Sequence, residues 1–328
     1  MIDELSALRL IKERFQKVSK NIAIGIGDDA AAVKINPENL LLATVDSQVE
    51  GVHFVKGVIS AKELGRKAIA VSVSDIGAMG GIPKFFLASV GFSGEEDEGF
   101  LEQLMDGFQS GAEEFKVDLI GGNLSSSQKL FLDITVLGEV EQHLMVKRIG
   151  ATPKDIIYVS GTLGDSALGL RVLQSKTNRE KNWFLISRHI LPQPRLKLGR
   201  ELAKKRLVTS MIDISDGLIL DLERITIEHG LGAEIYIEQT PISSYYRDCI
   251  SDFTKDLYDL ALSGGEDYEL LFTSPKDKRE EIKEISEKLN IKITEIGCVT
   301  TKPRVMVLDS NRNEIKVKRR GFIHFGNY

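Results

Sequence analysis

At 328 residues the chain is long for one domain and suits two, each with its own hydrophobic core. Apolar residues make up 42% of the sequence and charged residues 28%, which is typical of a soluble globular protein. The net charge of −5 disfavours a protein that binds nucleic acid by neutralising phosphates, and no segment approaches the roughly 20 apolar residues of a membrane span.

Strands and helices alternate along the first half of the chain. Apolar periodicity predicts, in chain order, a helix at 5–18, a buried strand at 40–45, a helix at 61–79, a strand at 85–92, a helix at 98–115 and a strand at 130–140. The first of these helices opens with acidic residues, which distinguishes it from a signal peptide.

The second half repeats this alternation. The predicted elements are a strand at 155–160, a glycine turn at 161–164 leading into a helix to residue 173, strands at 211–214, 233–237 and 269–272, and a helix at 278–289. Ser215 is predicted to N-cap a helix that starts near Gly217. We therefore expect a mixed α+β (α/β) protein with a boundary near residues 140–150, which divides it into domains 1–145 and 146–328.

Cysteine usage indicates the compartment. Cys249 and Cys298 are the two cysteines of the sequence, and they form no CxxC pair. A reducing cytoplasm fits this count, because disulfide-stabilised secreted domains carry more cysteines at closer spacing.

An acidic loop at residues 25–30 (GIGDDA) formally matches the GxGxxA fingerprint of dinucleotide-binding proteins. That fingerprint presents bare backbone amides to a pyrophosphate, whereas Asp28 and Asp29 place two carboxylates in the approach. Anion would repel anion here unless a cation stood between them. The loop therefore favours metal binding over direct nucleotide binding.

Further aspartates occupy similar positions, each where an apolar segment meets a small or glycine-rich turn. They are Asp46, Asp75, Asp213 and Asp216. Any one of them alone is equally consistent with a helix cap or a solvated turn. Together they indicate a site for several Mg²⁺ ions, because Mg²⁺ is usually held by a few carboxylates plus substrate phosphates.

Several known catalytic motifs are missing from the sequence. There is no Walker A lysine, no GxSxG elbow and no protein-kinase HRD or DFG motif. The glycines at 161–164 are interpreted as a tight strand-to-helix turn. His53 lies just beyond Asp46 in a glycine-containing loop, and its interpretation stays divided between a site residue and an ordinary core or surface histidine.

Five motifs in order resemble those of the thiamine-phosphate kinases. They are IGDDAA at 26–31, VDSQVEGVHF at 45–54, SDIGAMG at 74–80, IDISDGL at 212–218 and SGGEDYELLFT at 263–273. The last is the most specific, and the resemblance extends over essentially the whole chain to GFIHF at 321–325. A single motif could arise by chance, but the ordered set is a strong signal.

The resemblance implies a two-domain fold shared with aminoimidazole ribonucleotide synthetase, in which the N-terminal sheet domain forms a homodimer and the C-terminal domain is α/β. It implies ATP- and Mg²⁺-dependent phosphorylation of thiamine monophosphate to thiamine diphosphate, by direct in-line transfer without a catalytic acid or base. Carried over by motif, the implied metal ligands are Asp29, Thr44, Val45, Asp46, Asp75, Asn123, Asp213 and Asp216. The implied ATP contacts are Gly122, Arg148 and Ser215, and the implied substrate contacts are His53, Glu266 and Phe322.

Two positions depart from the family pattern. Asn123 stands where the family commonly has aspartate, so it offers a carbonyl oxygen without the negative charge. Val45 replaces a usual threonine, which leaves only its main-chain carbonyl as a ligand. We expect one metal to be held more weakly or differently, and we expect activity to survive because the other carboxylates are intact.

Two alternatives remain at this point. One is another ATP-dependent enzyme of the same superfamily, such as selenophosphate synthetase or the hydrogenase-maturation dehydratase. Selenophosphate synthetase usually carries a reactive cysteine or selenocysteine near its N-terminus and the dehydratase typically ends in cysteine, and this sequence shows neither. The other alternative is a non-catalytic relative that binds metal or nucleotide, in which Asn123 marks lost activity.

Overall fold

The computed structural model describes residues 21–24, 28–175 and 179–323. The helix predicted at 5–18 and part of the acidic loop, residues 25–27, lie outside the described residues. Within the described part, the strands form two separate sheets and the helices pack against them, which confirms the mixed α+β class. No helix in these ranges is both long enough and apolar enough to cross a membrane.

Six strands of the first half form one sheet, in the spatial order β1-β2-β3-β6-β4-β5. They are β1 (Ile22–Ile24), β2 (Ala31–Lys34), β3 (Asn39–Val49), β4 (Ile82–Phe92), β5 (Asp118–Ser126) and β6 (Phe131–Glu141). All neighbours are antiparallel except β4 and β5, which are parallel. Alternate residues of β6 are buried, as expected for a sheet covered on one face.

Two helices, α1 (Ala61–Ala78) and α2 (Glu98–Phe115), cover this buried face. Ser60 and Glu63 form a capping box that starts α1, and Asp97 caps α2. The helices approach closely through glycine, since a Cβ on Gly107 would lie 2.2 Å from the carbonyl oxygen of Lys62. Most residues of α1 are buried, including charged ones, so the helix is enclosed rather than amphipathic.

Seven strands of the second half form the other sheet, in the order β13-β12-β9-β11-β7-β10-β8. They are β7 (Ile156–Ser160), β8 (Ser210–Asp213), β9 (Gly232–Tyr236), β10 (Leu270–Ser274), β11 (Ile293–Thr300), β12 (Val305–Leu308) and β13 (Glu314–Ile315). The accompanying helices are α3 (Asp165–Gln174), α4 (Trp183–Ile190), α5 (Leu196–Lys204), α6 (Leu218–Thr226), α7 (Ser244–Cys249), α8 (Asp259–Ser263) and α9 (Arg279–Leu289). All neighbours are antiparallel except β9 and β12, which are parallel.

Helix α1 also contacts the second half of the chain, through α5 and β8. Gly77 and Gly199 make this contact close, since a Cβ on Gly199 would lie 2.1 Å from the carbonyl oxygen of Gly77. One helix therefore belongs to the core of the first sheet and to the junction with the second. The division at residues 145 and 146 stays a prediction.

The N-cap prediction at Ser215 is wrong. The structure places Gly217 at the N-cap of α6 without a side-chain cap bond. The backbone amides of Asp216 and Gly217 instead donate to the carboxylate of Asp221, each at 3.1 Å. The two amides just before α6 are thus bonded by a side chain of the helix, the amide of Leu220 in the first turn donates to the carbonyl of Arg320 at 3.0 Å, and Ser215 lies before the helix.

Candidate active site

Three carboxylates from distant parts of the chain meet at the junction of the two halves. Asp29 precedes β2, Asp75 lies in α1 and Asp213 ends β8. Each offers an oxygen such that all three oxygens lie within 4.8 Å of one another. Like charges at this separation repel strongly, especially where water is excluded, so the group requires positive charge nearby.

Two side chains on one face of β3, those of Thr44 and Asp46, extend the group of carboxylates. The hydroxyl of Thr44 donates a hydrogen bond to Oδ2 of Asp75 at 2.5 Å. Oδ2 of Asp46 and Oδ2 of Asp29 are buried and have no hydrogen-bond partner among the described residues. A buried carboxylate oxygen without a partner is costly, which is the pattern that a bound cation would relieve.

Burial and mutual repulsion raise the pKa values of Asp46, Asp75 and Asp213. Burial raises the pKa of Asp46 to about 6, and the charges of Asp216 and Asp29 act in the same direction. Burial, followed by the charges of Asp46 and Asp213, holds the pKa of Asp75 well above its ordinary value. Burial and Asp29 do the same for the pKa of Asp213. Each shift shows that the site disfavours uncompensated negative charge.

Arg148 supplies positive charge at one side of the group. Its Nη2 lies 2.7 Å from Oδ1 of Asp29, and its backbone amide donates to both carboxylate oxygens of Asp28 at 3.3 Å. Burial and the neighbouring Asp29 nevertheless raise the pKa of Asp28 to about 6. One guanidinium therefore does not balance the cluster of carboxylates.

Asp216 belongs to a separate ion pair beside the cluster. Nη2 of Arg224 lies 2.5 Å from Oδ2 of Asp216, and its Nη1 lies 2.6 Å from Oδ1 of Asp221. Burial raises the pKa of Asp221 to about 7 despite the charge of Arg224. Arg224 and Asp221 thus orient Asp216, and the sequence analysis identified neither of them.

The donor set fits Mg²⁺. All the candidate ligand atoms are oxygens, which hard divalent cations prefer, and the two buried Oδ2 atoms on Asp29 and Asp46 are free to accept an ion. No sulfur or imidazole ligand lies in the three-carboxylate group, which distinguishes it from a typical zinc site.

Three more of the predicted metal and ATP residues lie on β3 and β5: Val45, Gly122 and Asn123. The side chain of Val45 is 61% exposed, because it projects from the face of β3 opposite Thr44 and Asp46, so only its carbonyl is available to the site. Asn123 is exposed on β5, in register with Ser89 of β4. A Cβ on Gly122 would lie 2.0 Å from the carbonyl oxygen of Ala88, so this position requires glycine for close strand packing.

Three predicted contacts are joined by backbone hydrogen bonds around the start of α6. The amide of Glu266 donates to the carbonyl of Ser215 at 2.7 Å, and the amide of Phe322 donates to the carbonyl of Asp216 at 2.9 Å. His53 lies in the turn after β3, where its Nδ1 accepts from the amide of Val49 at 3.0 Å. The structure therefore bonds Glu266 to Ser215, and Phe322 to the neighbouring residue Asp216.

Sequence reasoning missed a buried pair of residues behind Glu266. Nζ of Lys67 lies 3.0 Å from Oε1 of Glu266, and Nδ1 of His189 lies 3.1 Å from Oε2. The available signal was weak: Arg66 and Lys67 are the charged residues in an otherwise small and apolar stretch of α1, a pattern that equally fits a solvated edge.

Comparison with known proteins agrees with this architecture. Residues 27–140 match the family model of the AIR synthase related protein, N-terminal domain, and residues 152–309 match that of the C-terminal domain. Thiamine-monophosphate kinase of Buchnera aphidicola subsp. Schizaphis graminum is 37% identical over 327 residues, which cover 98% of this chain and 99% of the relative. The Bacillus subtilis enzyme of the same name is 34% identical over 330 residues, covering 99% of this chain and 100% of the relative.

Solved structures give the same result. A structure of AaThiL complexed with AMPPCP and TMP is 34% identical, with a TM-score of 0.86 over 98% of this chain and 97% of that one. The hydrogenase maturation protein HypE in complex with ATP, at 17% identity and a TM-score of 0.71 over 97% of this chain and 96% of that one, shares the fold. The chain is 34% and 37% identical to these kinases over nearly its full length, and it matches both domain models. It therefore belongs to the thiamine-monophosphate kinase family.

Proposed function

We propose that this protein phosphorylates thiamine monophosphate with ATP and releases thiamine diphosphate and ADP. The observation that carries the proposal is the group of Asp29, Asp75 and Asp213, whose oxygens lie within 4.8 Å of one another in a buried site. Such a group suits the metal-bridged phosphates of a phosphoryl-transfer enzyme. The relatives named thiamine-monophosphate kinase, and the AaThiL complex with AMPPCP and TMP, support both the reaction type and the acceptor.

In this proposal each predicted residue keeps its role. Mg²⁺ ions would be held by the side chains of Asp29, Thr44, Asp46, Asp75, Asn123, Asp213 and Asp216 and by the carbonyl of Val45. ATP is contacted by Gly122, Arg148 and Ser215, and thiamine monophosphate by His53, Glu266 and Phe322. The hydrogen bonds from Glu266 to Ser215 and from Phe322 to Asp216 support neighbouring nucleotide, substrate and metal sites.

The reaction needs no general base from the protein. The nucleophile is a phosphate oxygen, and the second pKa of a phosphate monoester is about 6, so it is largely deprotonated at neutral pH. The difficulty is repulsion between two phosphate groups, which bound Mg²⁺ would reduce by neutralising their charge. The aspartates would hold the ions, and Arg148 adds a fixed guanidinium beside Asp29. Transfer is then direct and in line, without a phosphoenzyme.

An ATP-dependent assay that compares thiamine monophosphate with free thiamine tests the proposal. We expect conversion of the monophosphate alone, and turnover of neither acceptor would contradict the proposed function. Incubation with labelled ATP alone tests the direct path. A labelled protein that passes its phosphate to thiamine monophosphate would contradict it.

We further propose a homodimer built through the first sheet. Helices α1 and α2 cover one face of this sheet, whereas the other face exposes apolar side chains such as Val45 and Phe85, at 61% and 41%. Every residue of the edge strand β5 is exposed, including Leu119 at 51%. A second copy of the chain could cover both this exposed apolar face and the unpaired edge strand beside it.

The compartment and the domain division complete the proposal. We propose the cytoplasm, because Cys249 and Cys298 are both free thiols rather than a disulfide. We propose domains at 1–145 and 146–328, because the last strand of the first sheet ends at Glu141 and the first strand of the second begins at Ile156.

A further inference from the structure

A fully buried lysine connects the first half of the chain to Glu266. The side chain of Lys67 has no exposed area, and its ammonium lies 3.0 Å from Oε1 of Glu266. Burying an unpaired ammonium is strongly unfavourable, so this lysine depends on its carboxylate partner. Because Lys67 lies in α1 and Glu266 precedes β10, the ion pair spans the junction between the two halves of the chain.

The second oxygen of Glu266 is held from the other side. Nδ1 of His189 lies 3.1 Å from Oε2 of Glu266 and 3.2 Å from the hydroxyl of Ser166. Burial and the charge of Lys67 lower the pKa of His189. A carboxylate only accepts hydrogen bonds, which assigns the imidazole proton to Nδ1. Each carboxylate oxygen of Glu266 thus has its own buried partner.

The backbone of Glu266 is constrained as well. Its φ of 63° lies in the left-handed region, which a residue with a side chain seldom adopts. Its amide donates to the carbonyl of Ser215 at 2.7 Å, and its side chain keeps 24% of its area exposed. Burial raises the pKa of Glu266, but the charge of Lys67 and the hydrogen bond from His189 outweigh burial and hold that pKa below its ordinary range. The result is an oriented carboxylate that stays ionised and partly accessible.

We propose that Lys67 is a positioning residue for substrate recognition, which holds the ionised carboxylate of Glu266 in place to bind the organic part of the substrate. The inference rests on the proposed function, since it assigns Glu266 to the substrate rather than to the metals. Lys67 acts through Glu266 and touches no reacting atom.

The test compares steady-state kinetics of Lys67→Met with those of the wild type. Methionine keeps an unbranched side chain but removes the charge. We expect KM for thiamine monophosphate to rise about tenfold or more, as for the loss of a charged contact, while KM for ATP and kcat stay within about twofold. The matched control is Lys278→Met, which removes a partly exposed lysine that pairs with Glu281 at 2.9 Å and should leave all three constants unchanged.

A double-mutant cycle separates positioning from general damage. In a Glu266→Gln background, Lys67→Met should no longer raise KM for thiamine monophosphate, because the carboxylate that it positions is gone. An equal rise in both backgrounds, or an equal rise in both KM values, would overturn the inference. If Lys67→Met does not fold, the histidine gives the same information: His189→Leu should raise this KM, and His189→Asn should preserve it by keeping a donor near Nδ1.

The two proposals fail in different ways. A wild type that does not turn over thiamine monophosphate contradicts the proposed function before any variant is compared. A wild type that is active, together with a Lys67→Met variant whose KM for thiamine monophosphate is unchanged, contradicts the role of Lys67 alone.

Discussion

The carboxylates of Asp29, Asp75 and Asp213 each have an oxygen within 4.8 Å of the other two. Their negative charges repel one another at a largely buried site. Burial and like charge raise the pKa of both Asp75 and Asp213 well above the ordinary value. Such an arrangement opposes stability in the protein alone and favours it once cations are bound, because binding to the folded state stabilises it. Function and stability therefore make opposite demands on the same side chains.

The variant Asp75→Asn tests whether the carboxylate that supports activity also destabilises the metal-free protein. Removing a charge shared between metals should lower turnover by orders of magnitude. The same change should raise the melting temperature of the metal-free protein, because it relieves repulsion, and should reduce the stabilisation that Mg²⁺ adds. Turnover and melting curves with EDTA or Mg²⁺ measure these effects. Asp106→Asn, at an exposed position of α2, is the control, and an undiminished rate at saturating Mg²⁺ would contradict the site.

The pH dependence of stability follows from the same shifts. Asp28 and Asp46 have pKa values raised to about 6, whereas an unfolded aspartate titrates near 4. Between about pH 4 and 6 the folded state binds more protons than the unfolded state, so these two groups make stability fall as pH rises. We expect Asp46→Asn to flatten this fall in melting curves recorded with EDTA. An identical slope in variant and wild type would contradict it.

The sequence predicted the aspartates of the site better than their supports. Asp29, Asp75 and Asp213 each follow or interrupt an apolar run, so their convergence could be inferred without coordinates. Lys67 and Arg224 could not be identified in this way. Each is a charged residue within a helix, and only tertiary packing turns it inward to meet Glu266 or Asp216.

Close helix contact at glycine is the main feature at the scale of elements. In α1 and α2, Gly65 and Gly107 allow the two backbones to touch: a Cβ on Gly65 would lie 2.6 Å from the carbonyl oxygen of Leu104. Backbone cannot move aside as a flexible side chain can. The spacing of these helices, and with it the position of Asp75 and Lys67 in α1, therefore depends on the absence of two methyl groups.

Gly107→Ala should destabilise the protein by about 1–3 kcal/mol, because its Cβ would overlap the carbonyl oxygen of Lys62. Urea unfolding measures the change. Gly99→Ala in the first turn of the same helix is the matched control, since its Cβ would meet no atom closer than 3.5 Å. That substitution should be neutral or should stabilise by up to about 1 kcal/mol. Equal effects of the two substitutions would show that helix contact does not limit stability.

The elements that sequence predicted well have strong local signals. The helix expected at 98–115 forms as Glu98–Phe115, because Asp97 caps it and its apolar spacing is regular. The short helices α4, α5, α7 and α8 and the strands β11, β12 and β13 were not predicted. The strands among them depend on partners that are distant in sequence: β12, for example, pairs in parallel with β9.

At the scale of the whole molecule, the first sheet is covered unevenly. Its inner face packs on α1 and α2, and its outer face and β5 remain open in the single chain. A bare edge strand invites pairing with other chains unless something covers it. The proposed homodimer would remove this edge and the exposed apolar face together.

Phe85→Asp should shift the protein from dimer to monomer, because it places a charge on the open face. Sedimentation velocity over a concentration series measures the change, with circular dichroism as the check on folding. Trp183→Asp, at a 51% exposed aromatic residue in the second half, is the control and should leave the mass unchanged. A monomeric wild type, or equal dissociation of both variants, would contradict the proposed interface.

Helix α1 sets the distance between a residue of the proposed substrate site, Lys67, and a residue of the proposed metal site, Asp75. Lys67 and Asp75 lie on this one helix, about 12 Å apart along its axis at 1.5 Å per residue. The helix is capped at Ser60 and enclosed on most of its surface, so this spacing cannot stretch or shorten without loss of the fold. The spacing between Lys67, which holds Glu266, and Asp75 is thus fixed by the hydrogen-bonded geometry of α1, and any displacement of α1 moves both residues together.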